Sequence, residues 1–125
     1  MLYDLVIKIK HITFALKQLK MVLTIYKNKD IEALFTSGTS LAYKAIMNKK
    51  VFVHALYAFK SILDTIDNVI ELKAYQFLQY TKNSTFSSVV VRGSGVLGNI
   101  LFSENEQGNT ITIYELIINK DYGKE

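Results

Sequence analysis

Gly93, Gly95 and Gly98 form G-x-G-x-x-G immediately after the apolar run Val89, Val90, Val91. Glycines at that spacing let backbone N–H groups approach a pyrophosphate at a helix N-terminus, because no Cβ holds the phosphate away. Glu115 lies about 20 residues further on, where an acid would accept a hydrogen bond from a ribose hydroxyl. Such a site requires a helix between Val96 and Gln107. The second half of that segment, Ser103-Glu104-Asn105-Glu106-Gln107, has no apolar residue to face a sheet. Phe102 stands where close helix–strand contact needs a small side chain. A doubly wound domain also needs several further parallel strands with crossovers, and the segment before Ser88 does not supply them in that order.

The other residues able to do chemistry are scattered. His11 and His54 each fall inside a helical apolar pattern with no neighbouring ligand at H-x-x-x-H spacing, so no metal site is expected. Asp64, Asp67 and Glu71 recur on one helix face, where a solvated surface partly paired with Lys60 is the simpler expectation than an acid/base pair. The loop Thr36-Ser37-Gly38-Thr39-Ser40 lacks a lysine at the place a phosphate loop requires. Lys49 and Lys50 fit a solvated turn. With no cysteine there is neither a disulfide nor a thiolate ligand. No enzyme, no catalytic residue and no cofactor is expected.

The glycine stretch resembles the dinucleotide fingerprint of flavin- and nicotinamide-dependent oxidoreductases, which implies cofactor binding through Gly93, Gly95 and Gly98. Its composition favours an antiparallel alternative. Val89 to Val91, Val96 to Phe102 and Thr110 to Ile118 read as three strands, separated by turns at Arg92-Gly93-Ser94-Gly95 and at Ser103 to Asn109. Ile111, Ile113 and Glu115 alternate with Thr110, Thr112 and Tyr114, a period of two. Gly93, Gly95, Gly98 and Gly108 then serve as turn and bulge residues. On Gly93, Gly95, Leu97 and Ile100, followed by Ile111, Thr112, Ile113 and Tyr114, residues 75–115 resemble small β-sandwich accessory proteins of tailed bacteriophages. That resemblance implies a structural or interaction protein associated with a particle, and brings no catalytic residue with it.

The elements that would position these residues are helical at the front. Leu2, Leu5, Ile9, Ile12, Leu16, Leu19, Leu23 and Tyr26 keep a 3-4 spacing that predicts one long helix. A strand over Leu5 to Ile12 competes, since Ile7 and Ile9 alternate with Lys8 and Lys10. Asp30 is the expected N-cap of a short helix Ile31 to Phe35, and Thr39 or Ser40 that of a helix Leu41 to Met47. Leu56, Phe59, Leu63, Ile66 and Ile70 predict a second long helix from Val51 to Asn68. The pattern carries on through Phe77 and Tyr80, so helix is favoured over strand across residues 69–81. Asn83-Ser84-Thr85 is a turn.

Charge divides unevenly. Residues 1–82 hold twelve lysines against six acids, whereas 83–125 hold three basic residues against five acidic ones. An anionic partner would therefore meet the front, with Lys8, Lys10, Lys17, Lys20 and Lys27 as the candidate contacts. Lysines mixed with Tyr43, Tyr57, Tyr75, Phe77 and Tyr80 allow single-stranded nucleic-acid binding by charge and stacking. A single arginine leaves little scope for bidentate base recognition. The excess of lysine over arginine fits an AT-rich genome.

These observations predict one domain over residues 1–125, mainly helical over 1–82 and mainly β over 83–125. The expected class is α+β, with two long and one or two short N-terminal helices followed by a C-terminal antiparallel sheet. Charges at Asp4, Lys8, Lys10, Lys17 and Lys20 interrupt the apolar start, so neither an export signal nor a membrane span is expected. The expected place is the cytoplasm, or a host cytoplasm or virion. The expected function is a non-enzymatic structural or protein-interaction role, with self-association through the first helix or through an open edge at Thr110 to Ile118. The alternative is a basic helical nucleic-acid-binding regulator.

Overall fold

A computed structural model describes residues 22–38 and 40–120. Its sheet is mixed and starts before the helices do, which overturns the expected order of helices followed by an antiparallel sheet. Five strands, β1 (Leu23–Tyr26), β2 (Thr81–Lys82), β3 (Ser87–Gly93), β4 (Val96–Glu104) and β5 (Thr110–Lys120), lie in the order β1-β5-β4-β3-β2. Among the described residues the helices are few and short: α1 (Lys29–Thr36), α2 (Lys50–Thr65) and three 3-10 turns at Leu41–Ile46, Val69–Ala74 and Gln76–Leu78.

The first correction is at Leu23-Thr24-Ile25-Tyr26, expected at the end of a long helix. These residues pair parallel with β5, from Leu23↔Thr110 to Tyr26↔Ile113. β-Branched and aromatic side chains suit the pleat, and the pairing satisfies backbone groups of β5 that a helix would leave open. The rest of that expected helix, and the competing strand over Leu5 to Ile12, lie outside the described residues. Next, Asn28 rather than Asp30 caps α1. Its side-chain oxygen accepts from Ile31 N–H at 3.0 Å, while Asp30 and Glu32 sit in the first turn, favoured by the helix dipole.

α2 matches its expected stripe. Phe52, Leu56, Phe59 and Leu63 are fully buried at 4-3-4 spacing. It stops at Thr65, and Ile66 is extended. The helix favoured over residues 69–81 is broken because Asn68 and Glu71 start a new turn there. Glu71 Oε2 accepts from the N–H groups of Asp67 and Asn68, both at 2.8 Å. Asn68 Oδ1 accepts from Ile70 N–H at 3.0 Å. These local bonds compete with helix continuation. Gln79 then adopts a left-handed conformation, φ 48°, and turns the chain into β2. The helix expected from Leu41 is likewise a 3-10 segment, with Tyr43 outside helical geometry.

The three C-terminal strands appear where expected and run longer. Ser94 and Gly95, with φ 55° and 74°, make the two-residue turn between Gly93 and Val96, the geometry that matches strand twist. Asn105 holds the next turn, its Oδ1 accepting from Asn109 N–H at 3.0 Å and Thr110 N–H at 3.1 Å. A bulge at Tyr114, between the pairs Phe102↔Ile113 and Leu101↔Glu115, shifts the alternation. Ile111 and Ile113 are buried, Glu115 is exposed, and Leu116 takes the next inward place. One face of the sheet, through Val89, Val91, Ile100, Phe102, Ile111, Ile113 and Leu116, joins α1, α2 and the 3-10 turns in a single core.

Candidate functional site

Among the described residues the sheet leaves one strand paired over only part of one edge, next to a helix. β3 pairs along its whole length with β4, from Ser87↔Phe102 to Gly93↔Val96. On its other side β2 reaches only Ser87 and Ser88, because the turn at Gln79 carries the preceding chain away. Among the described residues no strand pairs with this edge beyond Ser88. Gly93 and Val96 bracket a two-residue turn and so exchange ladder bonds with each other, and the alternation of an antiparallel pair then directs the N–H and C=O of Val90 away from β4.

α2 forms the wall above this edge. Its first turn comes close because Gly93 has no side chain: a Cβ there would lie 2.6 Å from Phe52 N and 2.7 Å from the Val51 carbonyl carbon. Further along, Ala55 and Ala58 face β3 with methyl groups only. The space they leave is a cavity of about 310 Å³ lined by Ala55, Ala58, Phe77, Val90, Val91 and Arg92. Phe77, on the last 3-10 turn, is 63% exposed, and Val51, at the start of α2, is 62% exposed. The result is an open apolar groove with a strand edge as its floor and one positive charge in its lining.

A polar cluster lies where β2 pairs with β3. Glu104 Oε2 accepts from the Tyr80 hydroxyl at 2.6 Å and the Ser87 hydroxyl at 2.8 Å, and Lys82 Nζ stands 3.1 Å from Oε1. Burial raises the Glu104 pKa, but the hydrogen bonds from Tyr80, Ser87 and Lys82 and the lysine charge outweigh it, so the net shift is downward. Burial first, then the bond to Glu104, pushes the Tyr80 hydroxyl well above the ordinary tyrosine range. Tyr80 also stacks on Phe102 with centroids 6.3 Å apart. The cluster ties β2 and β3 to β4, and both carboxylate oxygens are occupied in doing so.

Among the described residues, those singled out from the sequence do not converge on a second site. The helix that a dinucleotide site requires between Val96 and Gln107 is replaced by β4 and the turn after it. Gly98 lies inside β4 under the Phe52 ring, Gly95 faces open space, and a Cβ on Gly108 (φ 72°) would meet the Asn68 side chain. Lys8, Lys10, Lys17, Lys20 and His11 lie outside the described residues. Lys27 holds its ammonium 5.4 Å from the Tyr114 ring centroid, and Tyr114 in turn meets the Phe86 ring nearly edge-on. Asp64 pairs with Lys60 at 2.9 Å, Glu71 serves as a cap, and His54 is exposed on α2. Among the described residues no group of three or more histidines and carboxylates could hold a metal ion, and no helix is long and apolar enough to cross a membrane. The edge expected to be open at Thr110 to Ile118 is covered by β1 as far as Ile113.

Sequence reasoning missed Ala55, Ala58 and Val90 as site residues. The available signal was two alanines three apart on a stripe of large apolar residues, followed by a strand too short to cover its neighbour. Comparisons with protein-family models, with curated proteins and with solved structures yielded no match to this chain.

Proposed function

We propose that the chain is a non-enzymatic protein-interaction protein that holds a partner in the groove between α2 and the open edge of β3. The edge of β3, unpaired beyond Ser88 among the described residues, beside an apolar cavity carries this reading. Unpaired strand edges invite association, and proteins usually protect them. Here the edge carries a single charged residue, Arg92, and no proline, and Phe77 and Val51 add exposed apolar surface near it. The resemblance of residues 75–115 to phage accessory proteins and the lysine-rich composition accord with an origin in a phage or other mobile element, where the partner would be another particle or host protein.

The test is a selection from a displayed library of random linear peptides against the wild-type chain, with Ala58→Leu as the counter-target. Ala58 is exposed at the cavity, so the larger side chain fills the groove from the helix side without entering the core. Enrichment of peptides that bind wild type and not Ala58→Leu is the expected result. Binding that ignores the substitution, or no enrichment, refutes the groove.

A further inference from the structure

We infer that Glu104 is the latch of a flap, residues 79–85, which opens in acid while β3, β4 and β5 stay paired. The inference stands apart from the interaction role proposed above and concerns how this part of the sheet is held. The flap is anchored at both ends. Leu78 before it is buried, Phe86 after it meets the Tyr114 ring, and Ser87 is buried again. Between these anchors Thr81 and Lys82 are exposed, and β2 meets β3 at Thr81↔Ser88 and Lys82↔Ser87. Asn83 N–H closes the turn by donating to the Phe86 carbonyl at 2.9 Å. Two exposed residues bury almost no apolar surface, so the backbone ladder by itself holds so short a strand weakly.

Glu104 supplies the stronger hold. It comes from β4, and its side chain is 8% exposed. Oε2 accepts from the Tyr80 and Ser87 hydroxyls at 2.6 and 2.8 Å, and Oε1 faces Lys82 Nζ at 3.1 Å. One carboxylate thus joins the flap to β3 and β4, and Tyr80 adds a stacked contact with the fully buried Phe102. The titratable groups acting on the carboxylate are Tyr80, from the segment before β2, and Lys82, from β2, while β3 contributes the neutral Ser87 hydroxyl. Hydrogen bonds to an ionised acceptor are about twice as strong as neutral ones. Protonation therefore cancels the Lys82 attraction and turns the bonds from Tyr80 and Ser87 into ordinary ones. It also adds an O–H donor among groups that were all donating. Ser87 stays behind in β3, whose ladder to β4 runs on to Gly93↔Val96, and β4 keeps its ladder to β5. The strip that carries Tyr80 and Lys82 is the part that leaves. It turns about Gln79, the left-handed residue (φ 48°) next to buried Leu78, and its departure removes the Tyr80 ring from Phe102.

The experiment uses the full chain, isotopically labelled, followed by NMR from neutral pH down through the ordinary glutamate pKa of about 4.3. The Glu104 carboxyl, the Tyr80 ring and the Asn83 amide are read together, with amides of the β4–β5 ladder as the reference. The folded carboxyl titrates below its ordinary range, so the latch is closed above that range and is lost as pH falls through the lower folded value. As Glu104 titrates, the Tyr80 ring is expected to lose its contacts with Phe102. Asn83 exchange, corrected for the intrinsic rate at each pH, is expected to rise about tenfold, while the β4–β5 amides stay protected. Glu104→Gln is expected to show the open flap at neutral pH and to abolish the acid step. Lys82→Gln removes the partner charge from a side chain that is 57% exposed, so the core is untouched, and it is expected to move the opening to higher pH. If Glu104→Gln does not fold, the wild-type titration and Lys82→Gln decide. If all amides lose protection together, the acid step is global unfolding and the flap is overturned. If Tyr80 and Asn83 do not respond as Glu104 titrates, or if Lys82→Gln leaves the midpoint unmoved, the latch is overturned.

Discussion

Replacing Gly93 by alanine asks how closely α2 sits on the sheet. The added Cβ would lie 2.6 Å from Phe52 N, 2.7 Å from the Val51 carbonyl carbon and 2.9 Å from Phe52 Cα. These are backbone atoms of the first turn of α2, so no side chain can rotate out of the way. Ordinary carbon contacts begin near 3.5 Å, so the helix end or the strand must retreat by roughly 1 Å. α2 carries Phe52, Leu56, Phe59 and Leu63, all fully buried, and lifting it opens gaps beneath them. Overpacking of this kind costs about 3 kcal/mol, or a fall in Tm of about 12 °C for a domain of this size. Gly95→Ala is the control. Gly95 faces open space at φ 74°, so its substitution costs only the left-handed backbone term of about 1 kcal/mol. Urea unfolding followed by circular dichroism measures both, read as a lower midpoint at unchanged slope. If Gly93→Ala costs no more than Gly95→Ala, the close approach of α2 is wrong. A pyrophosphate loop would demand the opposite order, since there the second glycine meets the ligand.

Gly98→Ala places a Cβ 2.6 Å from the Phe52 ring and 3.0 Å from Leu116 Cδ1. It is expected to destabilise by about 2 kcal/mol, and Phe52→Leu in the same chain should recover part of that loss, a coupling visible in a double-mutant cycle of urea midpoints. Glu104 has a folded pKa below its unfolded one. Its contribution is therefore complete above the ordinary glutamate pKa of about 4.3 and is lost as pH falls through the lower folded value. Thermal melts between neutral and acid pH should show that loss in wild type and a flatter profile in Glu104→Gln. Asn68→Ala removes the acceptor for Ile70 N–H and the donor that reaches the Gln107 carbonyl at 2.7 Å. It should cost about 1 to 2 kcal/mol by the same unfolding assay, and an unchanged midpoint would contradict the described link between the 3-10 turn and the β4–β5 loop.

By itself the sequence determined the elements whose bonds are local. The hairpins of β3, β4 and β5 follow from β-branched runs, from Ser94-Gly95 and Gly108-Asn109 at positions that need positive φ or side-chain turns, and from a period of two. α2 follows from a stripe of apolar residues that recurs every third or fourth position. Only the tertiary structure decided the rest. Leu23 to Tyr26 fits a helical period, yet β5, more than eighty positions away, offers it a ladder of hydrogen bonds. Nothing near it in the chain records that offer. The capping bonds of Asn68 and Glu71 outcompeted a helical pattern that periodicity alone extends to Tyr80. The bulge at Tyr114 moved the inward place from Glu115 to Leu116. The groove belongs to this second group. It exists because two alanines of α2, a left-handed residue at Gln79 and the outward peptide groups of Val90 meet in space, and packing and hydrogen bonding between distant segments are set by the fold as a whole.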